Sequence, residues 1–161
     1  SSEPEPRLSV FPAQPTETFI VPHVVMIGEE PIREAVIHFR PDTSVLAAVR
    51  VASDRWRVVD AKDGFVSAEF EVADTLTIVG IAPSPFARGA LVAVDRSTGR
   101  VLLTGPNWAR DVVQLEAGKT AIAVDARGRT LAAMDDAGRL EIASLRTYGR
   151  LGVWDLAKEI V

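Results

Sequence analysis

A turn signature running from aspartate to glycine punctuates the chain three times: Val59-Asp60-Ala61-Lys62-Asp63-Gly64, Val94-Asp95-Arg96-Ser97-Thr98-Gly99 and Val124-Asp125-Ala126-Arg127-Gly128. A shorter relative, Asp135-Asp136-Ala137-Gly138, follows the third. Each copy lies between apolar or alternating runs. An aspartate side chain accepts hydrogen bonds from the backbone two residues on, and glycine supplies the positive φ of a tight reversal. Such runs joined by such turns are antiparallel strands, so the sequence predicts an all-β chain built from hairpins.

The strands are placed by pattern. Residues 19–27 are apolar apart from Pro22 and His23, and the proline marks an edge strand or a bulge. Strands over 34–39, 45–52 and 55–59 follow. Residues 65–72 alternate, with Val66, Ala68, Phe70 and Val72 on one face and Ser67, Glu69 and Glu71 on the other, the pattern of one half-buried strand. Residues 76–82 read as a central strand, and 90–94 with 100–103 as a hairpin. Residues 111–116 fit helical and strand spacing alike; strand is favoured because Ala117-Gly118-Lys119 turns straight into 120–124. Strands over 129–134 and 139–145 complete a meander. Val153, Leu156, Ala157 and Ile160 have helical spacing, which predicts a short C-terminal helix of a turn or two, with a final strand as the alternative. Residues 1–16 hold Pro4, Pro6, Pro12 and Pro15, the composition of an extended arm or linker; Leu8, Val10 and Phe11 are the side chains with which it would grip a neighbour. Residues 17–161 then form a single antiparallel domain, a β-sandwich or compact barrel.

An alternative architecture comes from resemblance. Residues 120–133 resemble the first two strands of a WD40-like β-propeller blade, 136–142 its third, and Val153-Trp154-Asp155-Leu156 a closing Trp-Asp strand. The likeness covers residues 90–156 at most and lacks the Gly-His pair of that family. The turn aspartates at 60, 95 and 125 are 35 and 30 residues apart, short of the ~40–45 residues of such a blade. The resemblance implies a propeller fragment, since a closed ring needs at least four blades.

Composition bounds the function. The chain has 161 residues, 47% of them hydrophobic and 25% charged, as in a soluble globular protein. A net charge of -4 argues against a nucleic-acid binder, which needs a basic face. With no cysteine, disulfides, thiolate metal sites and thiol catalysis are excluded. No apolar run is long enough to span a bilayer as a helix.

Catalytic signatures are missing. Ala117-Gly118-Lys119-Thr120 ends like a phosphate-binding loop, but the required earlier glycine position is Val113 and a strand follows where a helix is needed; Gly118 reads as a hairpin glycine. His23 and His38 are the only histidines, too few for a zinc site without distant carboxylates, and His38 reads as outward-facing or hydrogen-bonded. No Gly-x-Ser-x-Gly elbow occurs. Turn chemistry explains the aspartates without a metal. Arg100, Arg129, Arg139 and Arg150 each follow a glycine and could line one rim if the hairpins stack.

The expectation is a non-enzymatic structural or protein–protein interaction module, a subunit of a larger assembly such as a virion or appendage, without cofactor or metal. Its partners would be protein subunits, of its own kind or another, and its setting soluble, extracellular or virion-associated. The alternative is a small-ligand or carbohydrate-binding β domain or propeller-type sensor segment. There the loops at 83–89 and 105–110 would form the site, with Trp108 as stacking platform and Phe86, Arg88, Asn107 and Arg110 around it. A third reading, a hydrolase, requires His38 or His23 beside two carboxylates.

Overall fold

A computed structural model of the chain describes residues 7–10, 23–26, 31–84 and 88–159. It is nearly all antiparallel β. Contacts divide the chain into two compact units, 1–72 and 73–161, a boundary inside the span that the sequence presents as one domain.

In the first unit, β1 (Arg7–Val10) pairs with β2 (His23–Met26), Leu8 opposite Val25 and Val10 opposite His23. Part of the proline-rich segment is therefore a strand paired within its own chain; Phe11 lies outside the described residues. A meander follows in the order β3 (Glu34–Phe39), β4 (Val45–Arg50), β5 (Arg55–Asp60) and β6 (Phe65–Val66), with β7 (Phe70–Glu71) also on β5. Ala47, Val49, Val51 and Val59 form its core.

One expectation is corrected here, and another is narrowed. The single strand over 65–72 is split in two. Val58 N–H donates to Ser67 Oγ at 2.8 Å, so the hydroxyl takes a ladder place that a carbonyl would hold. The backbone then leaves the ladder, and Glu69 turns to Arg55 and Arg57 at 3.2 and 2.6 Å. Ala68 is exposed, while Phe70 and Val72 are buried as expected. In β3 the alternation holds, and of the two readings of His38, outward-facing or hydrogen-bonded, the outward one falls. It is buried, and Ile37 and Phe39 are 44% and 60% exposed. His38 shares a face with Leu46 and Asp60 across the sheet. That face is not wholly apolar: Asp60 is buried as well and accepts from Arg40 NH2 at 2.9 Å.

The second unit holds two four-stranded meanders. The first is β8 (Thr77–Ala82), β9 (Ala90–Asp95), β10 (Arg100–Gly105) and β11 (Trp108–Gln114). The next is β12 (Ala121–Val124), β13 (Thr130–Met134), β14 (Arg139–Ser144) and β15 (Gly149–Asp155), closed by one helical turn, α1 (Leu156–Glu159). Val92, Val94, Val101 and Leu103 of one sheet pack against Leu131, Ala133, Ala143 and Leu145 of the other. Both sheets keep two edges, so the unit is a sandwich of open sheets and not a barrel. First strand touches first strand and last touches last, so the sheets stack in the same sense. A Cβ at Gly80 would lie 2.7 Å from Val124 Cβ; only glycine lets β8 approach β12 so closely. Helix over 153–160 is confined to its final turn, because Val153 and Trp154 continue the ladder opposite Glu141 and Leu140.

The turns follow the chemistry read from sequence. Asp60, Asp95 and Asp135 each accept the backbone N–H two residues on, at 2.9, 2.9 and 3.0 Å. Asp125 instead reaches the N–H groups of Arg129 and Thr130, both at 2.7 Å. The turn signature is nevertheless not the repeat. It joins third to fourth strand at 60, second to third at 95 and first to second at 125, moving back one hairpin each time. The repeating element is the meander, whose first strands begin at 34, 77 and 121. The last meander, β12 to β15, has the strand order that the blade resemblance implies.

Candidate functional site

A meander alternates its turns between two ends. In the second unit the β8–β9, β10–β11, β12–β13 and β14–β15 connections therefore lie at one end. The close approach of Gly128 to Ile81 O and Pro83 joins two of these turns across the sheets. The β9–β10 and β13–β14 turns and the crossover from β11 to β12 lie at the other.

The first end holds a cavity of about 380 Å³ lined by Ala82, Pro83, Leu103, Leu145, Arg129, Arg146 and Tyr148, with Gly128 at its edge. Tyr148 has φ +59, uncommon for a side chain other than Gly, Asn or Asp. Its N–H donates to Ser144 O at 3.1 Å. The Arg110 guanidinium lies 4.3 Å above the centre of its ring, a cation–π contact.

The loop residues expected to bind a ligand are distributed around this end. Asn107 is exposed at φ +62. With Pro106 before it, it makes the pattern of a type II turn. Trp108 opens β11, half-buried and packed on the core, and a Cβ at Gly105 would meet its Nε1 at 2.6 Å. It is a wall of the fold more than a free platform. Arg88 and Arg110 are exposed; Phe86 lies outside the described residues. Sequence reasoning singled out Arg129 but missed Arg146 and Tyr148. The signal available was that Tyr148 is the chain's single tyrosine and sits in a turn.

The other end is a charge lock. Glu141, fully buried, accepts from the Glu116 N–H at 2.9 Å. Lys119 Nζ lies 3.3 Å from Glu141 Oε2 and 3.4 Å from Asp135, and donates to Arg139 O at 3.2 Å. Arg150 NH2 stands 2.8 Å from Glu141 Oε1 as an ion contact, out of line for a hydrogen bond. Arg96 donates to the carbonyls of Lys119 and Thr120. Lys119 is thus committed to carboxylates and a carbonyl of its own chain, and Gly118, at φ +84, is a turn glycine. Hydrogen bonds from the backbone, led by that of Arg139, with help from Lys119, hold the Asp135 carboxyl below the usual carboxylate range. The Ser97 and Thr98 hydroxyls do the same for Asp95.

The four arginines that follow glycines do not line one rim. Arg100 pairs with Asp111 at 2.6 Å, Arg139 with Glu116 at 2.9 Å, and Arg150 with Glu141. Arg129 alone of the four enters the cavity. Among the described residues, no group of three or more His, Asp or Glu is placed to hold a metal, and no helix is long and apolar enough to cross a membrane. No protein-family model matches the chain, and comparison with curated proteins finds no match.

Proposed function

We propose that the chain is a non-enzymatic scaffold of repeated β meanders, a protein–protein interaction module that works as a subunit of a larger assembly. The observation that carries this reading is the outward face of the last sheet. Ala123, Ala132, Met134, Leu140, Ile142 and Trp154 share that face by register. No charged side chain interrupts them, and Trp154 is 38% exposed. A solvated antiparallel face is ordinarily polar, and an apolar patch of this kind marks an interaction site. The preceding sheet has residues of both faces of β9 and β10 buried, so sheets of this type are built to be covered twice.

The occupant is a second copy of this chain. The first unit also leaves large apolar side chains in solvent, Ile37 and Phe39 on β3. In a pair of copies related by a two-fold axis, each covers apolar side chains that the other leaves in solvent. Light scattering on a sizing column is expected to give twice the 17.4 kDa chain mass, and Ile142→Lys to give a monomer with an unchanged circular-dichroism spectrum. A parent chain that stays monomeric at its highest soluble concentration overturns this occupant.

A second reading, a small-ligand-binding β domain, is supported by the cavity beside Tyr148, whose volume lies in the range of ligand sites.

A further inference from the structure

We propose that the arginine-rimmed cavity of the second unit binds an acidic peptide segment, with an apolar side chain in the cavity and flanking carboxylates on Arg127, Arg129 and Arg146. This deepens the ligand-binding reading and is independent of the assembly reading. Arg110, Arg127, Arg129 and Arg146 come from three turns at the same end of the unit. The one carboxylate within those turns is Asp125, and its Oδ1 already accepts two backbone N–H groups. Arg127, Arg129 and Arg146 make no ion pair among the described residues, whereas Arg100, Lys119, Arg139 and Arg150 all do. An acidic chain thus carries one locally basic end.

The shape of the site narrows the ligand. Ala82, Pro83, Leu103 and Leu145 give its lining an apolar part beside the polar groups of Arg129, Arg146 and Tyr148, which suits a ligand that mixes apolar and acidic side chains. Its rim is guanidinium, which takes carboxylates in bidentate fashion. Cations spread over three turns suit an extended ligand that carries several carboxylates more than a compact anion. A long polyanion such as a nucleic acid would meet the rest of an acidic surface. Tyr148 also lines the cavity, in a backbone conformation that glycine adopts at less cost. Strain kept at a cavity wall is a mark of functional sites.

The test is fluorescence anisotropy with a labelled peptide alternating Glu or Asp with Leu. Saturable binding that weakens with salt is expected. Arg129→Glu with Arg146→Glu should weaken it at least about tenfold, with dichroism and oligomeric state unchanged. Tyr148→Gly should weaken it while keeping or raising the unfolding midpoint, which a purely structural tyrosine would not do. Arg100→Glu, on a paired arginine away from the cavity, should leave binding unaltered. No binding of the acidic peptide overturns the proposal, as does equal binding by the double charge reversal. Stronger binding of a single-stranded oligonucleotide, or of inorganic phosphate in competition, assigns the cavity to another anion and overturns it too. Loss of dimerisation in Ile142→Lys without loss of peptide binding shows that the two readings fail separately.

Discussion

Replacing Glu141 with glutamine isolates the worth of the charge lock. Gln keeps the shape and an oxygen for the Glu116 N–H, now 2.9 Å from Glu141 Oε2, but removes the negative charge between Lys119 and Arg150. Breaking a buried ion pair by neutralising one partner costs about 3–5 kcal/mol, because the other charge stays desolvated. Two features lower the figure here. The Arg150 side chain is 41% exposed, so water screens its loss to under about 1 kcal/mol. Lys119, 3% exposed at its side chain, keeps Asp135 at 3.4 Å and the Arg139 carbonyl. The expected loss is about 2–3 kcal/mol, most of it from Lys119. Urea unfolding followed by circular dichroism should show the midpoint falling by roughly 1 M with little change in slope. The companion variant, Lys119→Met with Glu141→Gln, removes both buried charges, keeps an acceptor for the Glu116 N–H and should recover to within about 1 kcal/mol of the parent. A Glu141→Gln chain within about 0.5 kcal/mol of the parent, or a double variant no better than the single, refutes the claim that this carboxylate is held by charge.

Gly80→Ala should destabilise the chain by about 1–3 kcal/mol in the same assay, since its Cβ meets Val124 side-chain atoms at 2.7 Å. Trp108→Ala should lower stability by about 2–3 kcal/mol, somewhat less than the loss of a fully buried indole, because the ring packs on the core. Acid should loosen the turns: Asp42, Asp95, Asp135 and Asp155 have carboxyls lowered from the ordinary value of 3.8, chiefly by Ser44, Ser97, Arg139 and Lys158 respectively. Their contribution is present above 3.8 and is lost as pH falls below it through the folded values. Urea midpoints measured at successive pH values should drop most steeply below that point, and less so in Asp95→Asn.

Hairpin punctuation made most of the fold legible. The strands over 34–39, 45–50, 77–82, 90–95 and 139–144 lie within two residues of where alternation and turn residues place them. What alternation could not supply was the side. His38 faces inward, level with the buried Leu46 and Asp60 of strands that lie further along the chain, and no local pattern carries such information. The break at 67–69 rests on one hydroxyl replacing a carbonyl in the ladder, equally invisible in a Ser among alternating residues. The site was half legible. Loops 83–89 and 105–110 were singled out for their Pro and Gly content; Pro83 of the first lines the cavity, and Arg110 of the second stacks on Tyr148. Arg146 and Tyr148 escaped because Tyr148 adopts positive φ without being glycine. The buried Glu141 escaped because a Glu in an alternating strand reads as an outward residue.

The division between a locked end and an open end follows from the topology. Each meander must hand the chain on to the next sheet, and the crossover from β11 to β12 leaves from the end that also carries the β9–β10 and β13–β14 turns. That end has backbone in transit between sheets, with N–H and C=O groups that no ladder satisfies. Glu141 takes the Glu116 N–H and Arg96 takes the Lys119 and Thr120 carbonyls, so charged side chains there are committed to holding the crossover. At the opposite end of the second unit each turn closes its own hairpin. Asp125 and Ser144 satisfy their turns locally, and no chain has to be carried across. Charged residues placed there are surplus to folding. Arg127, Arg129 and Arg146 are such residues, and a surplus of one sign around a cavity is what a fold can offer to a ligand of the other.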